Sequence, residues 1–175
     1  MANQEALHDL QVRLAERLSM AQSEAGSEAQ WLAVKIAGKN YLIPLAQAGE
    51  IFGWQVPQRL PYTKPWFWGV ANLRGNLVGV IDVAQFLGHP AMRTEQNLQQ
   101  ARIVTVHAAL EVNAGVLIDQ LLGLKGMKDG WRKSADATGP EPQNGTVYLD
   151  GEGQAWRELQ LKSLVASPEF LDVRL

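Results

Sequence analysis

The sequence predicts an all-β fold with helical extensions, and three observations support this class. From Trp31 onward, apolar residues recur with a period of two in short runs, which is the spacing of strands. Glycine, asparagine and proline separate these runs, as they do in turns and loops. Helical spacing of leucines is confined to residues 1–28 and 159–175, so helices are expected only near the two ends.

Composition limits the classes of function. With 175 residues, 46% of them hydrophobic, the chain can form one globular domain or two small lobes. Acidic residues outnumber Lys and Arg by 18 to 16 and no basic run forms a stripe, which argues against nucleic-acid binding. The longest apolar stretches, such as residues 77–81, are far shorter than a bilayer span. We therefore expect no direct membrane insertion.

The beginning of the chain and its cysteine count favour a cytoplasmic protein. Glu5, His8 and Asp9 stand where a secretory signal has a basic start followed by an apolar core. The absence of cysteine excludes disulfides, thiolate metal sites and cysteine nucleophiles. A cytoplasmic location agrees with both observations.

Residues 1–28 are predicted to be a helical extension. The leucines of an amphipathic stripe follow each other at spacings of three and four: Leu7, Leu10, Leu14 and Leu18. Asp9 and Arg13 are four residues apart on another face, and Gly26 and Ser27 mark the end of the helix. Either this helix packs on its own domain or stays partly solvated, or it docks on a partner.

The first half of the chain predicts two hairpins and a loop. Residues 32–36 and 41–45 alternate on either side of a break at Gly38-Lys39-Asn40. A third extended run, at residues 50–54, leads into Pro57, Pro61 and Pro65, which are expected in a surface loop because proline lacks a ladder donor.

The second of these hairpins contains Arg74. Residues 70–74 and 77–83 meet across Gly75-Asn76, two residues that tolerate positive φ. This turn is expected to place Arg74 at the hairpin tip.

The second half predicts a repetition of this pattern. The polar residues 89–100, which include Pro90, are expected to link the halves. Short aliphatic runs at residues 103–106, 114–118 and 121–127, interrupted by glycines, are typical of a small barrel.

The C-terminal third predicts a loop, a strand and a helix. Residues 129–144 are rich in glycine and proline and are expected to form a long loop, and residues 146–149 are expected to form a strand that ends in an Asp150-Gly151 turn. The helical spacing of Leu161, Leu164 and Val165 predicts a short helix before Pro168, followed by a packed tail.

Side chains that carry catalysis or bind metals do not cluster in the sequence. His8, His89 and His107 lie on different predicted elements without the spacing of zinc ligands. There is no nucleophile elbow and no phosphate-binding glycine loop. We expect no enzyme activity, no metal and no cofactor. Six tryptophans could serve as stacking platforms for sugars or bases, although packing is the favoured use.

One stretch carries a specific family resemblance. Residues 66–88 read WFWGVANLRGNLVGVIDVAQFLG, which strongly resembles the signature of CheW-like domains. Two further stretches agree with the family in order and spacing: YLIPL at residues 41–45 with Glu50-Ile51 after it, and GVLIDQLLG at residues 115–123. The resemblance runs from Trp31 to about Leu164. It is weakest at residues 154–159, where QAWREL stands in place of the usual aliphatic run.

The resemblance implies a fold of two packed five-stranded SH3-like barrels. The two lobes are expected at about residues 29–90 and 101–160, within a CheW-like domain of residues 29–167. The helical extension of residues 1–28 precedes this domain, and a tail of residues 168–175 follows it.

The resemblance also implies a function. Members of this family are non-catalytic adaptors that couple methyl-accepting chemoreceptors to the regulatory domain of a CheA-type histidine kinase. The N-terminal extension, the GVANLRG spelling and the FLDV ending are most similar to PilI-type proteins, which serve type IV pilus twitching motility. The alternatives are a flagellar chemotaxis coupling protein and a small-barrel ligand-binding module.

By resemblance, two charged residues match the receptor-facing region of the family. They are Glu50 and Arg74, and Ile51, Asn72 and Gly75 lie beside them. We expect Glu50 and Arg74 to pair across neighbouring strands, the alternative being that each is simply solvated. Asn72 either contacts the receptor or satisfies backbone groups near the tight turn.

A second set of residues is a candidate for contact with the kinase. These are Gly115, Val116, Leu117 and Leu121, on the strand pair of the second half. Asp119, in the same stretch, is expected to brace the second-lobe hairpin rather than to act in catalysis.

Overall fold

The computed structural model describes residues 29–89, 92–135 and 144–175. The predicted N-terminal helix falls in residues 1–28 and lies outside this part of the chain. The described residues are mostly strand with a few short helices, which confirms the predicted fold class. The strands are β1 (Ala29–Ile36), β2 (Lys39–Pro44), β3 (Ala48–Gly53), β4 (Phe67–Leu73), β5 (Asn76–Asp82), β6 (Arg102–Val106), β7 (Ala114–Ile118), β8 (Gln120–Gly126), β9 (Arg132–Lys133), β10 (Asn144–Leu149) and β11 (Ala155–Leu159).

These strands form two mixed sheets. One has six strands in the order β8-β1-β2-β11-β10-β9, and the other has five in the order β3-β6-β7-β5-β4. The expected five strands per lobe therefore hold for one sheet, whereas the other has six. Two of the pairings are parallel, β11 with β2 and β5 with β7, and the others are antiparallel.

The two sheets do not correspond to consecutive halves of the chain. The five-stranded sheet is built from one continuous stretch, β3 to β7, while the six-stranded sheet takes β1 and β2 from before it and β8 to β11 from after it. This corrects the expected lobes at residues 29–90 and 101–160. The chain crosses between sheets at the 3-10 turn Leu45–Gln47 and again at Asp119. Period-two patterns predict strands but not partners, and β6 and β8 pair with β3 and β1, which are distant in sequence.

Both predicted hairpins are present, with their turns one residue earlier than expected. The turn residues are Ala37-Gly38, with φ of 49° and 75°, and Arg74-Gly75, with φ of 51° and 86°. Positive φ at both central residues is the signature of a type I′ turn, whose twist suits a two-residue hairpin. Asn76 is consequently the first residue of β5, paired with Leu73, and Arg74 belongs to the turn itself.

The main hydrophobic core lies between the two sheets, and each sheet also packs on a smaller core of its own. Strand β1 shows why: Leu32, Val34 and Ile36 join the main core, while Trp31 and Ala33, on the other face, join an aromatic cluster. The other members of that aromatic cluster are Leu42, Trp131, Tyr148 and Trp156. The small core of the five-stranded sheet contains Trp68, Ala71, Leu73, Val78, Val80, Ala101, Ile103 and Leu117. Period-two alternation thus distributes each strand between two cores.

The described residues also contain four short α-helices, α1 (Val83–Phe86), α2 (Glu95–Gln100), α3 (Leu161–Ala166) and α4 (Pro168–Leu171), and two more 3-10 turns, Ala108–Leu110 and Met127–Asp129. The predicted C-terminal helix is confirmed as α3, with its three apolar residues buried in the main core. Helix α2 corrects the expectation of a plain linker at residues 89–100. Its sequence, EQNLQQ, has one apolar residue, so there is no stripe to detect, but Thr94 accepts a hydrogen bond from the Asn97 amide as N-cap.

A buried ionic network joins the two sheets near the second crossing. Asp82 is fully buried at the end of β5, where it caps α1, and Arg93 binds both of its oxygens at 2.7 and 2.9 Å. The same guanidinium also pairs with Asp119, which accepts a hydrogen bond from the Ala37 amide at 2.6 Å. Burial alone would lower the pKa of Arg93, but its hydrogen bonds to the two carboxylates more than offset this and raise it.

Replacing Arg93 with alanine is expected to lower the free energy of unfolding by about 3–5 kcal/mol, because the buried Asp82 carboxylate loses its cation. Denaturant unfolding monitored by tryptophan fluorescence measures the change. The matched control is Arg74→Ala, which removes an exposed pair and is expected to cost at most about 1 kcal/mol. Equal losses in the two variants would contradict this interpretation of the network.

Candidate partner-binding surface

A groove of about 860 Å³ opens on the five-stranded sheet, bordered by β3, the β4–β5 hairpin and the ends of β6 and β7. Its lining is mixed, with apolar side chains such as Phe52 and Val78 next to polar ones such as Thr105. Glu50 and Arg74, the two charged residues of the predicted receptor-facing set, both line this groove. A groove with apolar walls and charged residues has the composition of a surface that binds another protein.

Glu50 and Arg74 form an ion pair across the groove. Arg74 Nη1 donates to Glu50 Oε2 at 2.9 Å, and the side chains are 60% and 76% exposed for Glu50 and Arg74 respectively. The pairing agrees with the expectation, but the strands are not neighbours: β3 and the hairpin strand β4 are the two opposite edges of the five-stranded sheet. The pair therefore links two edges that are separated by the other three strands of the sheet.

Contacts on both sides hold this ion pair in place. The Arg74 guanidinium lies over the Phe52 ring, 5.5 Å from its centroid. The Glu50 amide donates to Thr105 Oγ1 at 2.8 Å, and the same hydroxyl donates back to the Glu50 carbonyl at 3.2 Å. A Cβ on Gly49 would lie only 2.5 Å from Thr105 Oγ1, so glycine allows the close approach of β3 to β6. Thr105 was not singled out in the sequence, where it reads as an ordinary β-branched strand residue.

The other members of the receptor-facing set are exposed on the same two edges. Ile51 is half-exposed on β3, and Gly75 occupies the second position of the turn. Asn72 Oδ1 accepts a hydrogen bond from the Gly75 amide at 2.8 Å, which supports the backbone-satisfying alternative for this residue. Asn72 thus fixes the turn that presents Arg74.

The candidates for kinase contact are not brought together. Gly115, Val116 and Leu117 are buried in β7, the central strand of the five-stranded sheet, and a Cβ on Gly115 would lie 2.6 Å from Ile103 Cγ2. Their side chains are part of the core and present no surface to a partner. An unbroken run of apolar residues is typical of a strand covered on both faces, which accounts for this correction. Leu121 is different, because it lies exposed on β8 of the other sheet.

Asp119 braces a different hairpin from the one expected. Strands β7 and β8 on either side of it belong to different sheets and do not pair. Asp119 instead holds the β1–β2 turn through the Ala37 amide, and its own amide donates to the Lys35 carbonyl at 2.9 Å. Arg93 and Asp82, its partners in the ionic network, were missed in the sequence. Asp82 carried a signal, since it follows an apolar strand and precedes VAQF as an N-cap would.

The described residues offer no grouping typical of a metal site and little for ligand stacking. Within residues 29–89, 92–135 and 144–175, no three His, Cys, Asp or Glu side chains come together as metal ligands. In the same ranges, no helix has the length and apolar character needed to cross a bilayer. The tryptophans serve packing: Trp54 and Trp66 are partly buried against other aromatic rings, and the buried ones are Trp31, Trp68, Trp131 and Trp156.

Comparison with known proteins gives consistent results. A family model described as CheW-like domain matches residues 30–169. The chain is 34% identical over 106 residues to Protein PilI of Pseudomonas aeruginosa, covering 60% of this chain and 57% of that protein. It is 32% identical over 85 residues to Chemotaxis protein CheW of Bacillus subtilis, covering 49% of this chain and 52% of that protein. These matches therefore span little more than half the length of either curated relative.

A solved structure shares the fold. The crystal structure of the scaffolding protein TtCheW from Thermoanaerobacter tengcongensis matches with a TM-score of 0.66 at 16% identity. The match covers 81% of this chain and 95% of that one. At this level of identity the likeness concerns the arrangement of the strands.

Asn72→Ala is expected to lower the free energy of unfolding by about 1 kcal/mol, because the Gly75 amide loses its acceptor. Asn72→Asp keeps an oxygen in the same place and is expected to retain most of the stability. Denaturant unfolding of both variants tests this. A loss in Asn72→Asp as large as that in Asn72→Ala would show that the oxygen is not the important atom.

Proposed function

Because the chain belongs to the CheW-like family, we propose that it is a non-catalytic adaptor that couples methyl-accepting chemoreceptors to a CheA-type histidine kinase. An adaptor has to bind two partners at once, and each contact needs roughly 800 Å² of surface on this chain. Two sheets packed over a shared core offer separate outer surfaces for this purpose. The proposal includes a cytoplasmic location at the periphery of receptor arrays.

The observation that supports the receptor contact most directly is the exposed Glu50–Arg74 pair beside the groove. An ion pair this exposed contributes only about 0 to 1 kcal/mol to folding, so stability does not explain the contacts that hold it. Phe52 nevertheless lies against the Arg74 guanidinium, and Thr105 holds the backbone of Glu50. Charged groups that are already ordered lose less conformational entropy on binding, which suits them to recognise a partner. We assign the receptor tip to this surface, with Ile51, Asn72 and Gly75 around the pair.

We further propose that the output is type IV pilus twitching motility rather than flagellar rotation. Support comes from the PilI-like features of the sequence and from the 34% identity to Protein PilI over 106 residues. The match to Chemotaxis protein CheW is nearly as high, at 32%, but shorter, at 85 residues. Binding to the pilus-associated receptor and kinase of the same genome, compared with the flagellar ones, distinguishes the two outputs.

Of the four candidates for kinase contact, we propose that Leu121 binds the kinase. It is exposed on β8, in the six-stranded sheet, and so lies on a different sheet from the ion pair. Gly115, Val116 and Leu117 then act indirectly, as the buried strand that precedes the crossing to β8. The alternative of a sugar or nucleotide binder loses its support, because the tryptophans that would provide stacking surfaces are packed against each other.

Arg74→Glu is expected to leave the fold intact and to weaken binding of the receptor tip at least tenfold, because a reversed charge in an interface costs several kcal/mol. Calorimetric titration with a fragment of the receptor's cytoplasmic tip measures this, and circular dichroism verifies the fold. Kinase binding in the same variant is expected to be unchanged.

Two variants serve as controls for this test. Arg174→Glu makes the same charge change at an exposed site far along the chain and is expected to have no effect on receptor binding. The double variant Glu50→Arg, Arg74→Glu can restore the ion pair with the two charges exchanged. Receptor binding is expected to remain weak in this variant, because the receptor contacts each charge at its own position. Unchanged receptor affinity in Arg74→Glu would refute the assignment of this surface.

Leu121→Asp is expected to weaken binding of the kinase regulatory domain at least tenfold, because it places a charge in an apolar contact. Leu77→Asp, which alters an exposed leucine of the five-stranded sheet, is the control and should leave kinase affinity as it is. Equal effects of the two substitutions would remove β8 from the kinase contact.

A further inference from the structure

A pocket of about 340 Å³ lies where the six-stranded sheet meets the end of helix α1. Its basic lining residues are Lys39 on β2, Arg157 on β11 and His89, whose amide donates to a carbonyl of α1. The other lining residues are uncharged: Gly38, Asn40, Tyr41, Val147 and Ala155. We call this cavity the basic pocket. Since none of these eight residues is acidic, its lining carries charge of one sign.

The strand pairing explains why two cations share one face of the sheet. Lys39 and Tyr41 alternate on β2, and Arg157 pairs with Tyr41 across the parallel contact of β2 with β11. Two residues further along each strand, the same face carries Ile43 and Leu159 of the main core. The basic pocket therefore lies at one end of the main core, where this face changes from apolar to charged.

Arg157 is the residue that indicates a ligand. It is partly buried, yet its guanidinium makes no hydrogen bond or ion pair with any residue that the structure describes. The other two partly buried arginines in the described ranges have acceptors: two carboxylates for Arg93 and three carbonyls for Arg102. A charge that is withdrawn from water without a partner is costly, and a bound anion removes that cost.

Two carboxylates close to Arg157 along the chain or across the fold have other partners. Glu158 follows Arg157 but faces the opposite side of β11, where it accepts a hydrogen bond from Trp31 Nε1 at 3.0 Å. Asp119 holds the β1–β2 turn that borders the pocket, and its charge is balanced by Arg93. Neither carboxylate neutralises the basic pocket.

Lys39 brings a second cation to the same place. Its Nζ lies 3.4 Å from His89 Nε2, so the ammonium is held at the pocket by another lining residue. The ammonium is a compact donor, whereas the Arg157 guanidinium is a planar fork that can donate two parallel hydrogen bonds. Together they suit an anion that has more than one negative charge and several acceptor oxygens.

Charge and volume together select the class of ligand. A phosphate group on a monoester carries a charge of about −1.5 to −2 at neutral pH, and its oxygens match a guanidinium fork. A carboxylate has a single charge, which leaves one of the two cations without compensation. The volume of about 340 Å³ is near the lower end of the range for small-molecule sites, so it suits a phosphate with a small organic group.

We propose that the basic pocket binds phosphate, as the inorganic ion or as a small phosphate monoester, with Arg157 and Lys39 as its charged donors. The pocket shares no lining residue with the groove that contains Glu50 and Arg74. The proposal therefore goes beyond the adaptor function and does not depend on it.

Calorimetric titration of the full chain tests the site with two probes, inorganic phosphate and glycerol phosphate. Saturable one-to-one binding with a Kd below about 1 mM is expected for at least one of them. The tighter of the two identifies the source of the phosphate. Glycerol and acetate are the controls, the first without a phosphate and the second with a carboxylate. No saturation with either probe, or equal affinity for acetate, would overturn the proposal.

Substitutions locate the binding. Arg157→Gln and Lys39→Gln are each expected to weaken phosphate binding at least tenfold. Lys39 is exposed, so its variant serves as the test even if Arg157→Gln does not fold. The matched control is Arg132→Gln, which removes the same charge from an exposed position on β9 of the same sheet and should bind phosphate like the unaltered chain. An equal loss in Arg132→Gln would mean a general charge effect without a site.

Thermal unfolding separates ligand binding from a role of Arg157 in folding. Without phosphate, Arg157→Gln is expected to unfold at the same temperature as the unaltered chain or higher, because a partly buried charge without a partner is removed. Phosphate should raise the midpoint of the unaltered chain more than that of Arg157→Gln. Its general salt effect acts on all variants alike, and Arg132→Gln measures it. A lower midpoint of Arg157→Gln without phosphate would assign Arg157 to the fold and contradict the proposal.

Discussion

The arrangement of the two sheets depends on one guanidinium. Arg93 binds Asp82 at the end of the five-stranded sheet and Asp119 at the point where the chain leaves that sheet, and Asp119 in turn holds the β1–β2 turn of the six-stranded sheet. A single buried cation thus connects both sheets at the crossing. Charges in such surroundings are tolerated only when each has partners, and here Asp82 also accepts the amides that begin α1. Sheet packing, helix capping and the crossing are therefore coupled.

At the groove, a pair of arginine and carboxylate has a different physical consequence. Glu50 and Arg74 are largely exposed, so water screens their attraction and the pair contributes little to folding. Their positions are nonetheless set by Thr105, Phe52 and the Arg74-Gly75 turn. Burial is what separates the two pairs: where water is excluded, the ion pair holds the fold together, and where water remains, the pair is available to another molecule.

Local features of the fold could be predicted from the sequence, because they depend on neighbouring residues. Alternation along β1 and β2, the hairpin that presents Arg74 and the C-terminal helix with Leu161 all follow from short-range patterns. The observed turns lie one residue before the predicted ones, because the first central position of a type I′ turn can be occupied by a residue other than glycine. Arg74 takes the left-handed conformation there, and no rule based on glycine and asparagine alone would place it so.

What could not be predicted depends on pairings between distant residues. The apolar run at Gly115, Val116 and Leu117 has the same sequence pattern whether the strand lies at the edge or in the middle of a sheet. It is buried because β7 pairs with β5 on one side and β6 on the other. Arg93 sits in a polar segment that resembles a linker, and nothing near it in sequence indicates two carboxylate partners. The family resemblance identified the Glu50 and Arg74 positions, whereas the contacts that orient them, through Thr105 and Phe52, appear only in three dimensions.

The insertion of β3 to β7 between the two parts of the six-stranded sheet also orders the events of synthesis. A ribosome releases all the strands of the five-stranded sheet once residue 118 has emerged, and these strands can then pair without the rest of the chain. The β1–β2 hairpin, although made first, has to wait for β8 on one side and β11 on the other. During this interval the face that carries Trp31, Ala33 and Leu42 lacks Trp131, Tyr148 and Trp156, the rings that cover it in the folded domain.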